Sequence, residues 1–451
     1  MKFTSLVLAS SVAGIIIDTY GDEPTFMDSI YGQLVDSEES RSFKSQLINS
    51  GKPYSQEIEI DYDNFANIQG RLQKMSQTQQ MIKSHQGYMK YQTELKLPDD
   101  DETSDISHGH NMFGGIVSFG HFDHFNCFDP QLYGKKVDIA IVGAPFDTGV
   151  SYRPGARFGP EAIRSGSRRL GGATLVRNNG HSNSNLTHIN PYDKSNHNLT
   201  IIDCGDVPLT PFDNRIALNQ LYRGQRAIHN HTTSSKAHVQ SPRIITMGGD
   251  HTITLMTLKS AYEQFGPLNV IHFDSHIDTW DPKVLGGGIS NYMKLNHGTF
   301  LHYAAEQGYL NSTGCYHVGL RAPFIDDEYD EQHDHDCGFK TINARDIDHL
   351  TIRGVVDKLL KSLGTESPVY ISVDIDVLDP AFAPATGTME VGGWSTRELL
   401  SVLDGLEGIN LVGADVVEVS PPFDSNSEIT SLAATAVIDS FLGLMIVKEI
   451  Y

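Results

Sequence analysis

The chain has 451 residues, 39% hydrophobic and 20% charged, a balance that suits a soluble globular protein with one large α/β domain and an extension. With 34 Lys and Arg against 56 Asp and Glu, its net charge of -22 argues against nucleic acid or an anionic membrane as partner and is compatible with a cationic small molecule. The four cysteines, Cys127, Cys204, Cys315 and Cys337, are sparse and lack metal-site spacing; Cys204 and Cys315 fall in strand-like runs and read as buried free thiols.

Met1-Lys2 and the apolar run Phe3 to Ile17 predict a secretory signal peptide over residues 1–17, too short to cross a membrane and absent from the mature form. N-x-[ST] acceptors at Asn185, Asn198, Asn230 and Asn311 are consistent with the secretory route, giving an expected secreted or vacuolar protein with cytoplasm as the alternative. Residues 18–107 read as an extension, partly helical or disordered, ending in the acidic linker Asp99 to Glu102. His108, His110, His121 and His124 lie in a Gly-rich loop and read as exposed rather than as a second metal site.

From Val137 onward short apolar runs alternate with helical segments. Strands are predicted at Val137–Val142, Leu199–Ile202, Ile244–Met247, Leu268–His272, Cys315–Val318, Thr341–Ile342, Tyr370–Val373 and Leu411–Val417. Helices are predicted at Pro160–Leu170, Asn214–Asn230, Thr252–Phe265, Val355–Leu363, Thr396–Leu406 and Ile429–Val447, with a surface insertion from Gly171 to His197. This alternation implies a parallel, doubly wound sheet with helices on both faces, and a site at the carboxyl ends of its strands.

Three separate stretches at those ends carry metal-binding side chains: Asp250-His251, His272 to Asp278, and Asp374-Ile375-Asp376. On an extended backbone Asp274, His276 and Asp278 would share one direction, as would Asp374 and Asp376. Two imidazoles and four carboxylates (His251, Asp274, His276, Asp278, Asp374, Asp376) form a hard, oxygen-rich set suited to Mn2+ or a similar divalent ion. So many carboxylates close together would be prohibitive to desolvate without cations, and six groups serve two ions if two of them bridge. That is the layout of a binuclear hydrolase.

These motifs resemble the signatures of the ureohydrolase family of agmatinases and arginases. The resemblance rests on Gly248 to His251, His272 to Asp278 and Ser372 to Gly387, with Ala144 to Asp147, Arg153 to Pro160, Ala414 to Pro421 and Glu428 to Ala434. Asp203 to Pro211 and Thr279 to Gly288 are most like the fungal agmatinase-like and guanidinobutyrase-like members. The resemblance covers about residues 108–451 and implies a three-layer arginase-like α/β fold, a homotrimer or homohexamer, and two Mn2+ per subunit. By the same likeness His251 and Asp278 would hold one ion, His276 and Asp376 the other, with Asp274 and Asp374 bridging. His297 would be the catalytic histidine near the mouth, Glu418 the carboxylate that receives a guanidinium, and Asp278 a proton relay.

The loop Gly288 to Gly298 lacks the Ser-Gly-Asn-x-His-Gly motif of arginases, and Thr388-Met389-Glu390 stands where many relatives have Thr-Pro-Glu. Agmatine is therefore the expected substrate, with 4-guanidinobutyrate as the alternative. The non-enzymatic readings are a metal- or polyamine-binding descendant and a histidine-rich metal scavenger. His272 is expected either to orient a ligand or simply to fill space, and Asp147, Arg153 and Arg157 to organise loops.

Overall fold

The computed structural model describes residues 115–170, 190–194, 197–234, 241–286 and 291–450. The signal peptide, the extension over 18–107, His108, His110, Asn185 and most of the Gly171 to His197 insertion lie outside them. Eight strands form one sheet among the described residues: β1 (Ile139–Gly143), β2 (Ile201–Asp206), β3 (Arg243–Met247), β4 (Asn269–Phe273), β5 (Cys315–Leu320), β6 (Phe339–Asn343), β7 (Pro368–Asp374) and β8 (Asn410–Val417). Their order is β2-β1-β3-β8-β7-β4-β5-β6 and every pairing is parallel.

Parallel pairing requires crossovers, and the crossovers cover both faces. The helices are α1 (Gly159–Gly166), α2 (Asn214–His229), α3 (Thr254–Phe265), α4 (Phe300–Glu306), α5 (Asp327–Asp336), α6 (Ile347–Leu363), α7 (Thr396–Gly405) and α8 (Ile429–Ile450). One core joins the sheet to α1, α6, α7 and α8; the other joins it to α2, α3 and α4. The result is the three-layer arrangement expected. The 20 residues Ile429–Lys448 of α8 are long and apolar enough to span a membrane, yet this helix is mostly buried in the first core.

The sheet's order explains where a site can form. The chain runs β1 to β2 toward one edge and β4 to β6 toward the other, while β3, β8, β7 and β4 sit side by side in the centre. A crevice opens where the winding direction reverses, and the loops leaving those four strands carry the candidate residues. Close approach is built in there: a methyl group on Gly249 would lie 2.0 Å from the Phe146 carbonyl oxygen.

Three expectations need correction. Cys204 is not a free thiol: it is disulfide-bonded to Cys127, 77 residues away, while Cys315 and Cys337 are free and buried. The helices α4 and α5 were not foreseen. Asp274, His276 and Asp278 do not converge by strand alternation, because β4 ends at Phe273 and Asp278 has a left-handed backbone (φ 52). Short turns do the work: the Asp274 carboxylate accepts from His276 N–H at 2.6 Å, and Asp374 accepts from Asp376 N–H at 2.8 Å at the start of a 3-10 turn. His124 is exposed, whereas His121 Nε2 meets the Arg168 carbonyl at 2.8 Å.

Candidate metal centre and active site

Five of the six candidate ligands meet in two groups that share one residue, and the sixth, Asp374, lies beside His251. His251, Asp274 and Asp278 gather with His272 in the first, and Asp274, His276 and Asp376 in the second, with ligand atoms in each within 4.8 Å of one another. Asp274 faces both ways: Oδ2 lies 3.1 Å from His251 Nδ1, while Oδ1 lies 3.2 Å from His276 Nδ1. Asp278 Oδ2 is 3.1 Å and Asp374 Oδ2 3.4 Å from His251 Nδ1, and Asp376 Oδ2 is 3.2 Å from His276 Nδ1.

The donor set fits cations better than it fits itself. His251 Nδ1, His272 Nε2 and Asp274 Oδ2 are buried without a hydrogen-bond partner, although they stand close together. Burial, then the charges of Asp376 and Asp274, pushes Asp374 well above the usual carboxylate range, and burial with Asp274 raises Asp278 to about 6. Carboxylates crowded in this way need either protons or positive ions between them.

Sequence reasoning missed the residues that aim His251. Ser372 Oγ donates to Asp415 Oδ1 at 2.5 Å, so its one hydrogen is committed. His251 Nε2, 2.7 Å from Ser372 Oγ, must then donate to it, which turns Nδ1 toward the carboxylates. Tyr370 and Thr254 also donate to Asp415. A buried serine and aspartate within apolar central strands were the signal available in sequence. Ser372→Ala is expected to weaken divalent-metal binding by roughly 10–100-fold, as such supporting partners generally do, with the fold intact by circular dichroism.

His272 reaches the site on one side and a second histidine on the other. Its Nε2 is 3.0 Å from Asp274 Oδ2; its Nδ1 is 2.8 Å from His317 Nδ1, and His317 Nε2 is 2.8 Å from Asp334 Oδ1. Burial lowers His272 to about 3, so it is neutral and has one ring hydrogen to place. With that hydrogen on Nδ1, toward His317, the Nε2 lone pair faces the site.

Glu418 directly follows β8, has a left-handed backbone (φ 61) and is 1% exposed. Its Oε1 accepts from His251 N–H at 2.9 Å and lies 3.3 Å from His297 Nδ1. Ser151 N–H donates to His297 Nε2 at 3.0 Å, and Ser151 Oγ is 2.8 Å away. Burial disfavours a charged His297, but the hydrogen bond and charge of Glu418, with Asp278 and Asp250, outweigh it and raise the pKa. Asp147 holds its loop as expected, accepting from Gly155 N–H at 2.9 Å and from Arg157 Nε at 2.5 Å. The site opens into a cleft of about 230 Å³ lined by His276, Asp278, Trp280, His297, Asp374 and Glu390 among others.

A sequence profile of the Arginase family matches residues 137–443, which include every candidate ligand, His297 and Glu418. The chain belongs to the arginase family. Within that family it is 42% identical over 366 residues to the Schizosaccharomyces pombe protein named "Putative agmatinase 1", covering 79% of this chain and 87% of that one. It is 36% identical to the proclavaminate amidinohydrolase of Streptomyces clavuligerus, over 73% of this chain and 93% of the relative. The solved structure of the Streptomyces clavuligerus enzyme matches with a TM-score of 0.62 and 31% identity, over 75% of this chain and all (100%) of that one. This arginase-family chain thus shares its fold with a protein named for amidino hydrolysis.

Proposed function

We propose that the protein hydrolyses agmatine to urea and putrescine with two Mn2+ ions per subunit. His251, Asp274 and Asp278 would hold one ion and Asp274, His276 and Asp376 the other, with Asp374, beside His251, as a further ligand. Two divalent ions held there would acidify a shared water, to a pKa of about 7, and so make hydroxide available at moderate pH.

The remaining chemistry belongs to the side chains. Glu418 accepts the guanidinium in a charge-assisted pair and fixes its carbon for attack. His297, at the mouth and 12% exposed, exchanges the proton that the departing amine needs. Its Nδ1 addresses Glu418 Oε1, so a proton taken there has an acceptor, while Nε2 accepts from Ser151 N–H. Asp278 lines the same cleft as His297 and would relay the proton toward it.

The observation that carries agmatine over 4-guanidinobutyrate is the charge of the cleft. Apart from the candidate ligands, its described lining residues include one carboxylate, Glu390, and none is Lys or Arg. Glu390 is 37% exposed with Oε1 3.9 Å from His276 Nε2, suited to an ammonium at the substrate's far end and repulsive to a carboxylate. Urea release over a panel of guanidino compounds with Mn2+ tests the reading. Agmatine should lead, and Glu390→Gln should raise its KM about tenfold, the effect of about 1.4 kcal/mol, while 4-guanidinobutyrate gains. Preference of the unaltered protein for 4-guanidinobutyrate would refute this assignment; turnover of none would favour a binding protein. The secretory route belongs to the same proposal, supported by the Cys127–Cys204 disulfide and by the exposed acceptor Asn198.

A further inference from the structure

A second group of metal-binding side chains lies between α4 and α5, apart from the oxygen-rich centre. His333 and Cys337 are four residues apart at the end of α5 and so share a helix face; His302 reaches them from α4. His302 Nδ1 is 3.0 Å from His333 Nε2, Cys337 Sγ is 3.8 Å from the same nitrogen, and all three atoms lie within 4.8 Å of one another. His333 Nε2 is thus addressed by two partners although it has only one hydrogen or one lone pair to offer.

The spacing is that of ligands around a small ion. Tetrahedral bonds of about 2.05 Å to nitrogen and about 2.3 Å to sulfur place two nitrogens about 3.3 Å apart and nitrogen and sulfur about 3.6 Å apart. The two measured distances differ from these by a few tenths of an ångström. Aromatic neighbours set both rings: Tyr329 stacks on His333 at 5.9 Å and 4°, and Tyr303 meets His302 edge-on at 4.9 Å and 77°. Asp281 lies close enough for its charge to act on all three groups, and its Oδ2 accepts from Tyr329 O–H at 2.5 Å.

We propose that His302, His333 and Cys337 form a separate, mononuclear site for a borderline transition-metal ion of the Zn2+ class, with its fourth position open to water. A thiolate and two imidazoles select such an ion over the harder Mn2+. Two neutral imidazoles and a thiolate leave a dication one net positive charge, which Asp281 offsets. A thiol must lose its proton to ligate a metal, so binding releases a proton and strengthens as pH rises.

The site's position gives it a structural purpose. Asp330 and Asp334 of α5 accept from Trp280 Nε1 at 3.1 Å and Thr279 Oγ1 at 2.6 Å, in the loop that directly follows Asp278. An ion joining α4 to α5 would brace that loop without touching substrate.

Cobalt tests the site, because the oxygen-rich centre contains no thiolate. Protein saturated with Mn2+ and titrated with Co2+ should develop a near-ultraviolet thiolate-to-Co2+ charge-transfer band that saturates at one equivalent per chain and is displaced by Zn2+. Cys337→Ser should abolish the band and the rise in Tm produced by Zn2+. His302→Gln, at a half-buried position that folding tolerates more readily, should weaken Co2+ binding at least about tenfold. A band that never forms, that survives Cys337→Ser, or that has unchanged affinity in His302→Gln overturns the site. These readouts are independent of substrate, so they stand apart from the agmatine assignment.

Discussion

Asp274→Asn is expected to lower urea release by at least about a thousandfold and to reduce bound metal from two ions per chain to one or none. Asp274 is the residue common to both ligand groups, with Oδ1 toward His276 and Oδ2 toward His251 and His272. Asparagine keeps the shape and an oxygen that can accept from His276 N–H, so the turn should persist. It removes the charge and turns one oxygen into a donor facing imidazole. Elemental analysis of dialysed protein alongside kcat checks this; two ions retained with turnover intact would defeat the binuclear reading.

Glu418→Gln should behave differently. Bound metal should stay at two per chain, while kcat/KM falls roughly a hundredfold, about 3 kcal/mol for one buried, charge-assisted pair. The amide can still accept from His251 N–H, so the backbone there is held. It cannot neutralise a guanidinium. The pH profile gives a second readout. Glu418 is the main influence raising His297, so its neutralisation lets burial dominate and the His297 pKa falls. If protonated His297 supplies the leaving amine, the alkaline limb of the profile moves to lower pH. An unchanged limb would remove His297 from that role.

The sheet was legible because its strands are buried on both faces: β1, β3, β4 and β5 are buried at every position and so read as continuous apolar runs. The helix α5 was not, since Asp-Glu-Tyr-Asp-Glu-Gln-His-Asp-His-Asp has no apolar stripe. It is held instead through Asp330 and Asp334, buried acceptors whose donors are distant in sequence. The Cys127–Cys204 bond was hidden for the same reason, since nothing local marks a partner 77 residues away. At the site, six candidate ligands could be named because three dense motifs carry them, and the structure gathers all six. The reason given for their convergence was wrong: turns and positive φ angles, not strand alternation, turn them inward. Ser372 and Asp415 escaped notice because a single polar residue in an apolar strand has no spacing to betray it.

The left-handed backbone at Asp278 and Glu418 has a practical corollary for engineering. Side chains with a Cβ are disfavoured there by about 1–2 kcal/mol each, whereas glycine sits in that region freely. Glycine would relieve that strain, but at position 418 it would strand the buried His251 N–H and at position 278 it would remove a candidate ligand, so the strain is held in place by the site's own contacts. Selection for thermostable variants should fix these two codons in advance.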